Sequence, residues 1–336
     1  MISTTNNNRI FAKVLVVLST ALIVYFGVRA IYDDCERNQE NPFEYDIDTF
    51  RQIDPALLHY EEIAQIELGF TEPKGIAIDQ RDHLFVSSEH SVKEFAADGV
   101  QKRTFATPAS ASCLAIDPDY KLFLGINGQI MVYDTSGIRQ AQWDRPAELS
   151  LFTSVAVTPV FVFVADAENL VIWKYDKAGK LLGRIGDRNP DKDIAGLVIP
   201  APYLDIAIDK EGYLWAGNTG RHQMESYTLD GDLRTSWGHA AMQIDGFAGC
   251  CNPSHFAIMS DGSFVTSEKG IARIKVYSFR GQFLSVVATP GQFDEGTEGL
   301  DLCIDSQDRI YVLDPKRKMI RIFAKKEETE TQWAAL

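Results

Sequence analysis

"GIAIDQRDHLFVSS", residues 75–88, decides the fold of this chain. A short apolar stretch centred on alanine runs into an aspartate, a polar turn and a second apolar stretch. Apolar residues at a two-residue period on both sides of a turn read as paired antiparallel strands. The same pattern returns as "CLAIDPDYKLFLGI" (113–126), "SVAVTPVFVFVAD" (154–166), "DIAIDKEGYLWAGN" (205–218), "HFAIMSDGSFVTSE" (255–268) and "DLCIDSQDRIYVLD" (301–314). Its small central residue is Ala77, Ala115, Ala156, Ala207, Ala257 and Cys303, at spacings of 38, 41, 51, 50 and 46 residues.

Each pattern continues into an aromatic-ended strand: "SVKEFAADG", "IMVYDTSG", "VIWKYDKAG", "MESYTLDG", "IKVYSFRG" and "MIRIFAKK". In the first five a fourth apolar run follows, such as "KLLGRIG" (180–186). Four short strands per repeat, repeated six times, are the mark of a β-propeller. The expected fold is therefore all-β, a six-bladed propeller over residues 57–326. The sixth unit stops after its third strand, so "YEEIAQIEL" (60–68) is expected to complete it by pairing with residues 318–325. Such a closure leaves no open sheet edge between the ends of the ring.

The units carried by "GIAID" with "LFVSS", "IAIDKEGYLWAGNTG", and "DSQDRIYVLD" with "IRIF" resemble the NHL repeat, a family of six-bladed propellers. Blade three departs from the pattern, with Thr158 in the place of the turn aspartate, and blade five has Met259 there. The resemblance implies a fold, and places Arg273 at an arginine position that serves contacts between blades. It leaves function open, because propellers host enzymes, receptors and scaffolds.

Ahead of the repeats lies "IFAKVLVVLSTALIVYFGV" (10–28), nearly all apolar, with Arg9 and Lys13 before or within it and Asp33, Asp34 and Glu36 after it. About 20 apolar residues span a bilayer as a helix, and basic flanks stay in the cytoplasm. The expected organisation is a cytoplasmic segment 1–9, a transmembrane or signal-anchor helix 10–29, a polar tether 30–56, the propeller 57–326 and a polar tail 327–336. The propeller then lies outside the cytoplasm, in the periplasm or at the cell exterior. A cleaved signal peptide ending near "VRA" (28–30) is the competing reading. The net charge of −14 excludes the usual nucleic-acid binders, which are basic.

Propeller geometry sorts the loops. The residue before each inner strand falls at the mouth of the central channel: Gly75, Cys113, Ser154, Asp205, His255 and Asp301. The loops joining second and third strands reach the same face and contribute His90, Arg221, His222, Glu268, Lys269 and the run Lys316, Arg317, Lys318. On this face stands "FAGCCNPSHF" (247–256), which sets two of only five cysteines side by side. Three readings are open for Cys250 and Cys251. They are a vicinal disulfide, suited to an oxidising compartment, a metal site with His255, His222 and Glu268, or two reduced thiols filling a loop. Cys303 reads as packing, and Cys35 lies in the tether. Asp205 and Asp301 read first as acceptors for backbone amides at turn ends. The recurring Phe95, Tyr133, Tyr175, Tyr227, Tyr277 and Phe323 read as core.

No phosphate loop, G-x-S-x-G elbow, H-E-x-x-H or C-x-x-C is present. Histidine-rich zinc lyases of the NHL type have no matching motif here. Glu268, Asn218, Asp205 and Asp301 are of the types that calcium-dependent propeller hydrolases place on the axis. The expectation is a binding or assembly module for a protein partner in or at the membrane, such as a redox or envelope complex, with a small-molecule or metal ligand as a further option. The alternative is a metal-dependent lyase or hydrolase working at the channel mouth with a divalent ion.

Overall fold

The computed structural model describes Lys13, residues 18–26, Arg29, residues 48–192 and residues 194–327. The chain divides into two units, Met1–Ile47 and Asp48–Leu336. In the first, residues 18–26 are helical. Among the described residues no helix is long and apolar enough to cross a membrane. The remainder of the expected anchor, residues 30–47 of the expected tether, Cys35 and residues 328–336 lie outside the described residues.

The described residues of the second unit form six four-stranded antiparallel sheets. Blade one is β2 (Gly75–Ile78), β3 (Leu84–Ser87), β4 (Ser91–Phe95) and β5 (Gln101–Ala106). Blade two is β6 (Ala111–Ile116), β7 (Lys121–Ile126), β8 (Gln129–Asp134) and β9 (Arg139–Gln142). Blade three is β10 (Phe152–Val157), β11 (Phe161–Asp166), β12 (Val171–Asp176) and β13 (Leu181–Ile185). Blade four is β14 (Ile206–Ile208), β15 (Leu214–Asn218), β16 (Gln223–Tyr227) and β17 (Leu233–Trp237). Blade five is β18 (His255–Ile258), β19 (Phe264–Glu268), β20 (Arg273–Tyr277) and β21 (Phe283–Ala288). Blade six is β22 (Leu302–Ile304), β23 (Ile310–Asp314) and β24 (Met319–Lys325), completed by β1 (Tyr60–Glu67) from the other end of the repeats.

The closure follows the expected register. Tyr60 pairs with Lys325 and Glu67 with Met319, across one irregularity between Glu62 and Ala64. The ladder extends one step further, the Leu68 amide donating to the Lys318 carbonyl at 3.1 Å. Arg321 reinforces it from the side, held by Glu62 and by the Gln292 carbonyl.

The repeated aspartate has a local task. The Asp79 carboxylate accepts from the amides of Arg81 and His83 at 2.8 and 2.9 Å, closing the turn between β2 and β3. Asp117, Asp209 and Asp305 do the same for Lys121, Tyr213 and Arg309. Side-chain oxygens that bond backbone amides a few residues on are what fix such turns. Thr158 substitutes with its hydroxyl, which accepts from Phe161 at 2.8 Å. In blade five Met259 has no such acceptor, and Asp261 takes the Ser263 amide instead.

Six apolar clusters lie between the blades, each joining one blade to the next. Phe85 and Val92 of blade one meet Leu122 and Tyr133 of blade two, and Phe123 and Trp143 of blade two meet Val162 and Tyr175 of blade three. Ile66, Tyr311 and Ile320 of blade six meet Ile76 and Phe95 of blade one, so the ring is sealed by the same packing. The recurring aromatic of each third strand faces the preceding blade in every case, from Phe95 round to Phe323. The alanine-position residue faces the following blade, with Cys303 packed beside Ile76 and Leu84. Removing one of these aromatic side chains, as in Phe323→Ala, would destabilise by about 3–5 kcal/mol through lost burial and a residual cavity.

Candidate functional site

The inner strands are stitched to one another by side chains at the mouth positions. Ser154 Oγ accepts from the Ile206 amide of blade four at 3.3 Å. Asp205 accepts from the Phe256 amide of blade five at 2.8 Å through Oδ2, and from its neighbour Ile206 at 2.9 Å through Oδ1. Asp301 accepts from the Ile76 amide of blade one at 2.9 Å and from Leu302 at 2.8 Å. The amide-acceptor role expected of both aspartates is therefore present, and it holds both carboxylates still.

His255 occupies the equivalent place in blade five but makes no such stitch. Blades five and six are joined instead by Ser267 Oγ, which donates to the Leu300 carbonyl at 2.7 Å. The imidazole stands between the two carboxylates, with Nδ1 3.7 Å from Asp205 Oδ2 and 3.5 Å from Asp301 Oδ1. Asp205, His255 and Asp301 each place a ligand-type atom within 4.8 Å of the other two. Their side chains are 11, 15 and 19% exposed, so the cluster is open to the mouth but largely withdrawn from water. Burial raises both carboxyls above the usual range, Asp301 to about 6. The His255 charge opposes that rise, and for Asp301 the neighbouring Asp205 charge adds to it.

Cys113, from the blade-two mouth, is buried and is not one of the converging donors. Burial pushes its thiol up to about 12, with the charges of Asp301 and Asp205 adding to the rise. Gly125 makes room for this sulfur, since a Cβ there would lie 2.5 Å from Cys113 Sγ. Gly75 has no side chain to offer to the mouth.

Around His255 the rim is aromatic and polar. The Tyr203 ring meets the imidazole edge-on at 5.8 Å between centroids. Lys269 Nζ lies 5.1 Å from the centre of the same ring. The Tyr203 hydroxyl donates to Glu298 at 3.2 Å; burial and that carboxylate push its pKa up to about 12. Tyr203 and Glu298 carry no motif, and no sequence signal distinguishes them from other loop residues.

The double cysteine is not bridged. Cys250 Sγ and Cys251 Sγ stand 3.1 Å apart, well beyond the ~2.05 Å of a disulfide bond. Both are free thiols, Cys250 exposed and Cys251 buried. Burial raises the Cys251 pKa, with its neighbour's thiol adding to the shift and Lys269 opposing it. The loop is held by other means. Asn252 donates to the Ala248 and Lys269 carbonyls and accepts from the Lys269 amide at 2.9 Å.

The expected metal set of Cys250, Cys251, His255, His222 and Glu268 does not converge. Among the described residues, the group of three or more close donors is Asp205, His255 and Asp301. His222 is directed at the Gly249 carbonyl, 2.6 Å from Nε2, and steadies the cysteine loop. Glu268 is buried and ion-paired to Arg273 and, at 3.2 Å, to Lys275, while also accepting from the Ala248 amide. Arg273 and Lys275 bond the carbonyls of Met242, Gln243, Ile244 and Gly246, so the trio pins the long loop between blades four and five. This is the structural contact expected of Arg273. Arg221 is exposed, 3.8 Å from Glu225, and His90 is exposed. Arg317 is paired with Asp294 at 2.7 Å, and Lys316 with the Glu295 carbonyl.

No protein-family model and no curated relative matches the chain. Solved structures do. Virginiamycin B lyase from Staphylococcus aureus aligns at 13% identity and a TM-score of 0.54, over 80% of this chain and 100% of that one. A gluconolactonase from Xanthomonas campestris aligns at 17% identity and a TM-score of 0.58, over 77% and 88% respectively. A Bacteroides thetaiotaomicron protein of unknown function aligns at 15% identity and 0.57, over 80% and 72%. At these identities the likeness shows the fold, and this chain is a six-bladed β-propeller.

Proposed function

We propose that this chain is a membrane-anchored, extracytoplasmic binding or assembly module of the NHL-like type, whose recognition site is the channel mouth on the side of blades four to six. One observation carries the reading. His255 is placed between Asp205 and Asp301 without taking part in the stitching that the two aspartates perform. A partly buried imidazole with no structural bond of its own, beside an aromatic and charged rim, suits recognition of a ligand or partner. The apolar run 10–28 with its basic start supports the anchor and the extracytoplasmic address. An acidic surface and the absence of a nucleic-acid motif favour a protein at the membrane as partner.

A metal-dependent lyase or hydrolase at the same mouth is the second reading, favoured by the imidazole-and-carboxylate donor set. The names of the lyase and gluconolactonase neighbours agree with it in kind, through the fold alone.

A photo-crosslinking amino acid at Tyr203 or Lys269, compared with one at Glu211 in a turn on the opposite face, tests the first reading in intact cells. Crosslinks to one membrane-associated protein from the mouth positions alone are expected. Equal yields from Glu211, or none from the mouth, would overturn it. Hydrolysis or elimination by the wild-type chain that is lost in His255→Gln would bring the second reading forward.

A further inference from the structure

We propose that Asp205, His255 and Asp301 form a divalent-metal site of the zinc type at the channel mouth, with its remaining position open to an exogenous ligand. The inference deepens the reading of the mouth as a recognition site and names what that site would hold.

The spacing of the three donors suits a shared ion better than a hydrogen bond. A charged hydrogen bond between imidazole and carboxylate would draw the atoms to ~2.7–2.9 Å. The observed separations of 3.5 and 3.7 Å are too long for that. Zinc bonds nitrogen at ~2.0–2.1 Å and carboxylate oxygen at ~2.0–2.2 Å, so the N···O edge of a tetrahedral site is about 3.3–3.5 Å. The imidazole Nδ1 stands from Asp301 Oδ1 at the upper end of that range and from Asp205 Oδ2 just beyond it, in both cases nearer the spacing of ligands to a shared zinc ion than that of a charged hydrogen bond.

The donors are also preorganised. Ligating carboxylates are commonly oriented by further hydrogen bonds, and ligating imidazoles by their surroundings. Each aspartate here is fixed by two backbone amides, one of them from the following blade. His255 begins β18, paired across to Ser267, and its ring is braced by Tyr203. The three donors therefore come from three successive blades, and the ring as a whole sets their separation.

Charge points the same way. Two largely buried carboxylates face one imidazole, and among the described residues neither is paired with a Lys or Arg. A divalent cation would make the site neutral and offset the desolvation that the pair otherwise bears. Three protein ligands with partial exposure leave a position for water or for a donor atom of a ligand, as in catalytic rather than structural zinc sites.

The test uses the purified full-length chain, stripped with a chelator and titrated with zinc alone by isothermal calorimetry. One equivalent is expected to bind with micromolar or tighter affinity. His255→Gln should weaken binding at least about 100-fold, while Cys250→Ser with Cys251→Ser should leave it unchanged. The cobalt(II)-loaded chain should show a tetrahedral visible spectrum that is lost in His255→Gln. No stoichiometric zinc binding by the wild type, or affinity that survives His255→Gln and vanishes in the double cysteine variant, would overturn the site. Zinc binding without any crosslinked partner would sink the recognition reading and leave the metal site standing. A crosslinked partner without zinc binding would do the reverse.

Discussion

Blade five takes part in two groups of charged side chains that differ in how their charges are held. At its top turn Glu268 is enclosed by Arg273, Lys275, the Ala248 amide and a row of loop carbonyls. One carboxylate there serves two cations, the loop carbonyls of Met242, Gln243, Ile244 and Gly246 take the cations' other N–H groups, and Glu268, Arg273 and Lys275 are essentially without exposure. Earlier in the same blade, His255 shares the mouth with two carboxylates that face its imidazole and are paired with no Lys or Arg among the described residues. Buried charge is tolerated when it is paired and hydrogen-bonded, and is costly otherwise. The enclosed, fully hydrogen-bonded trio therefore reads as architecture holding the 240–248 loop. The mouth, with two carboxylates to one imidazole, reads as a place awaiting a cation or ligand.

The contrast is sharpest in stability. Glu268→Gln would leave Arg273 and Lys275 buried without a countercharge, and is expected to destabilise by about 3–5 kcal/mol. His255→Gln removes no bond that holds the ring, and should change stability by less than about 1 kcal/mol. Urea unfolding of the two variants measures both. A comparable loss in His255→Gln would mean that the mouth is structural too.

The pH dependence of stability gives a second, smaller difference. Burial lowers the Lys275 pKa to about 8, although Glu268 pulls it upward. Its folded value lies below the unfolded 10.5, so between these limits the unfolded chain binds more protons. Stability from this group therefore rises with pH across that window, by about 3 kcal/mol in full. Melting of the wild type at pH 7.5 and 9.5 should show the gain, and Lys275→Met should flatten it. The window ends near pH 10, where the buried tyrosines begin to act in the opposite sense. Tyr277 and Tyr227, with pKa values raised by burial, hold their protons in the folded state, so stability falls as pH rises through that range.

The least perturbing test concerns the cysteine loop that lies between the two groups. Thiolate, not thiol, reacts with alkylating agents. Cys250 is exposed, whereas Cys251, Cys113 and Cys303 are buried with raised pKa values. Without reductant, Cys250 should alkylate first among these four and the others only on unfolding. Cys250→Ser should shift stability by less than about 0.5 kcal/mol. Resistance of both neighbours until a reductant is added would restore the bridge that the 3.1 Å separation excludes.

Six repeats, their turn aspartates and the strand that closes the ring were all legible in the chain, because each depends on local chemistry. Alternation sets a strand, an aspartate two to four residues ahead of a backbone amide sets a turn, and a unit lacking its fourth strand predicts a partner at the other terminus. Of the expected mouth positions, Asp205 and Asp301 do precede their inner strands and Gly75 and His255 open theirs, whereas Cys113 and Ser154 lie within β6 and β10, because those two strands begin two residues earlier than the repeat suggests. Which of them act together was not legible. Asp205, His255 and Asp301 lie 50 and 46 residues apart in sequence, and only the closed ring brings them within 4.8 Å. Glu268 looked like a ligand because its turn reaches the top face. The alternation along β19 and β20 does not reveal that its carboxylate is enclosed by Arg273 and Lys275. The pairing of two cysteines in sequence suggested a bridge, yet their sulfurs are set by a loop whose shape is governed by Asn252, His222 and the buried trio. Local pattern determines where strands and turns fall; the distance between side chains on different blades is a property of the assembled ring, and the tertiary structure alone decides it.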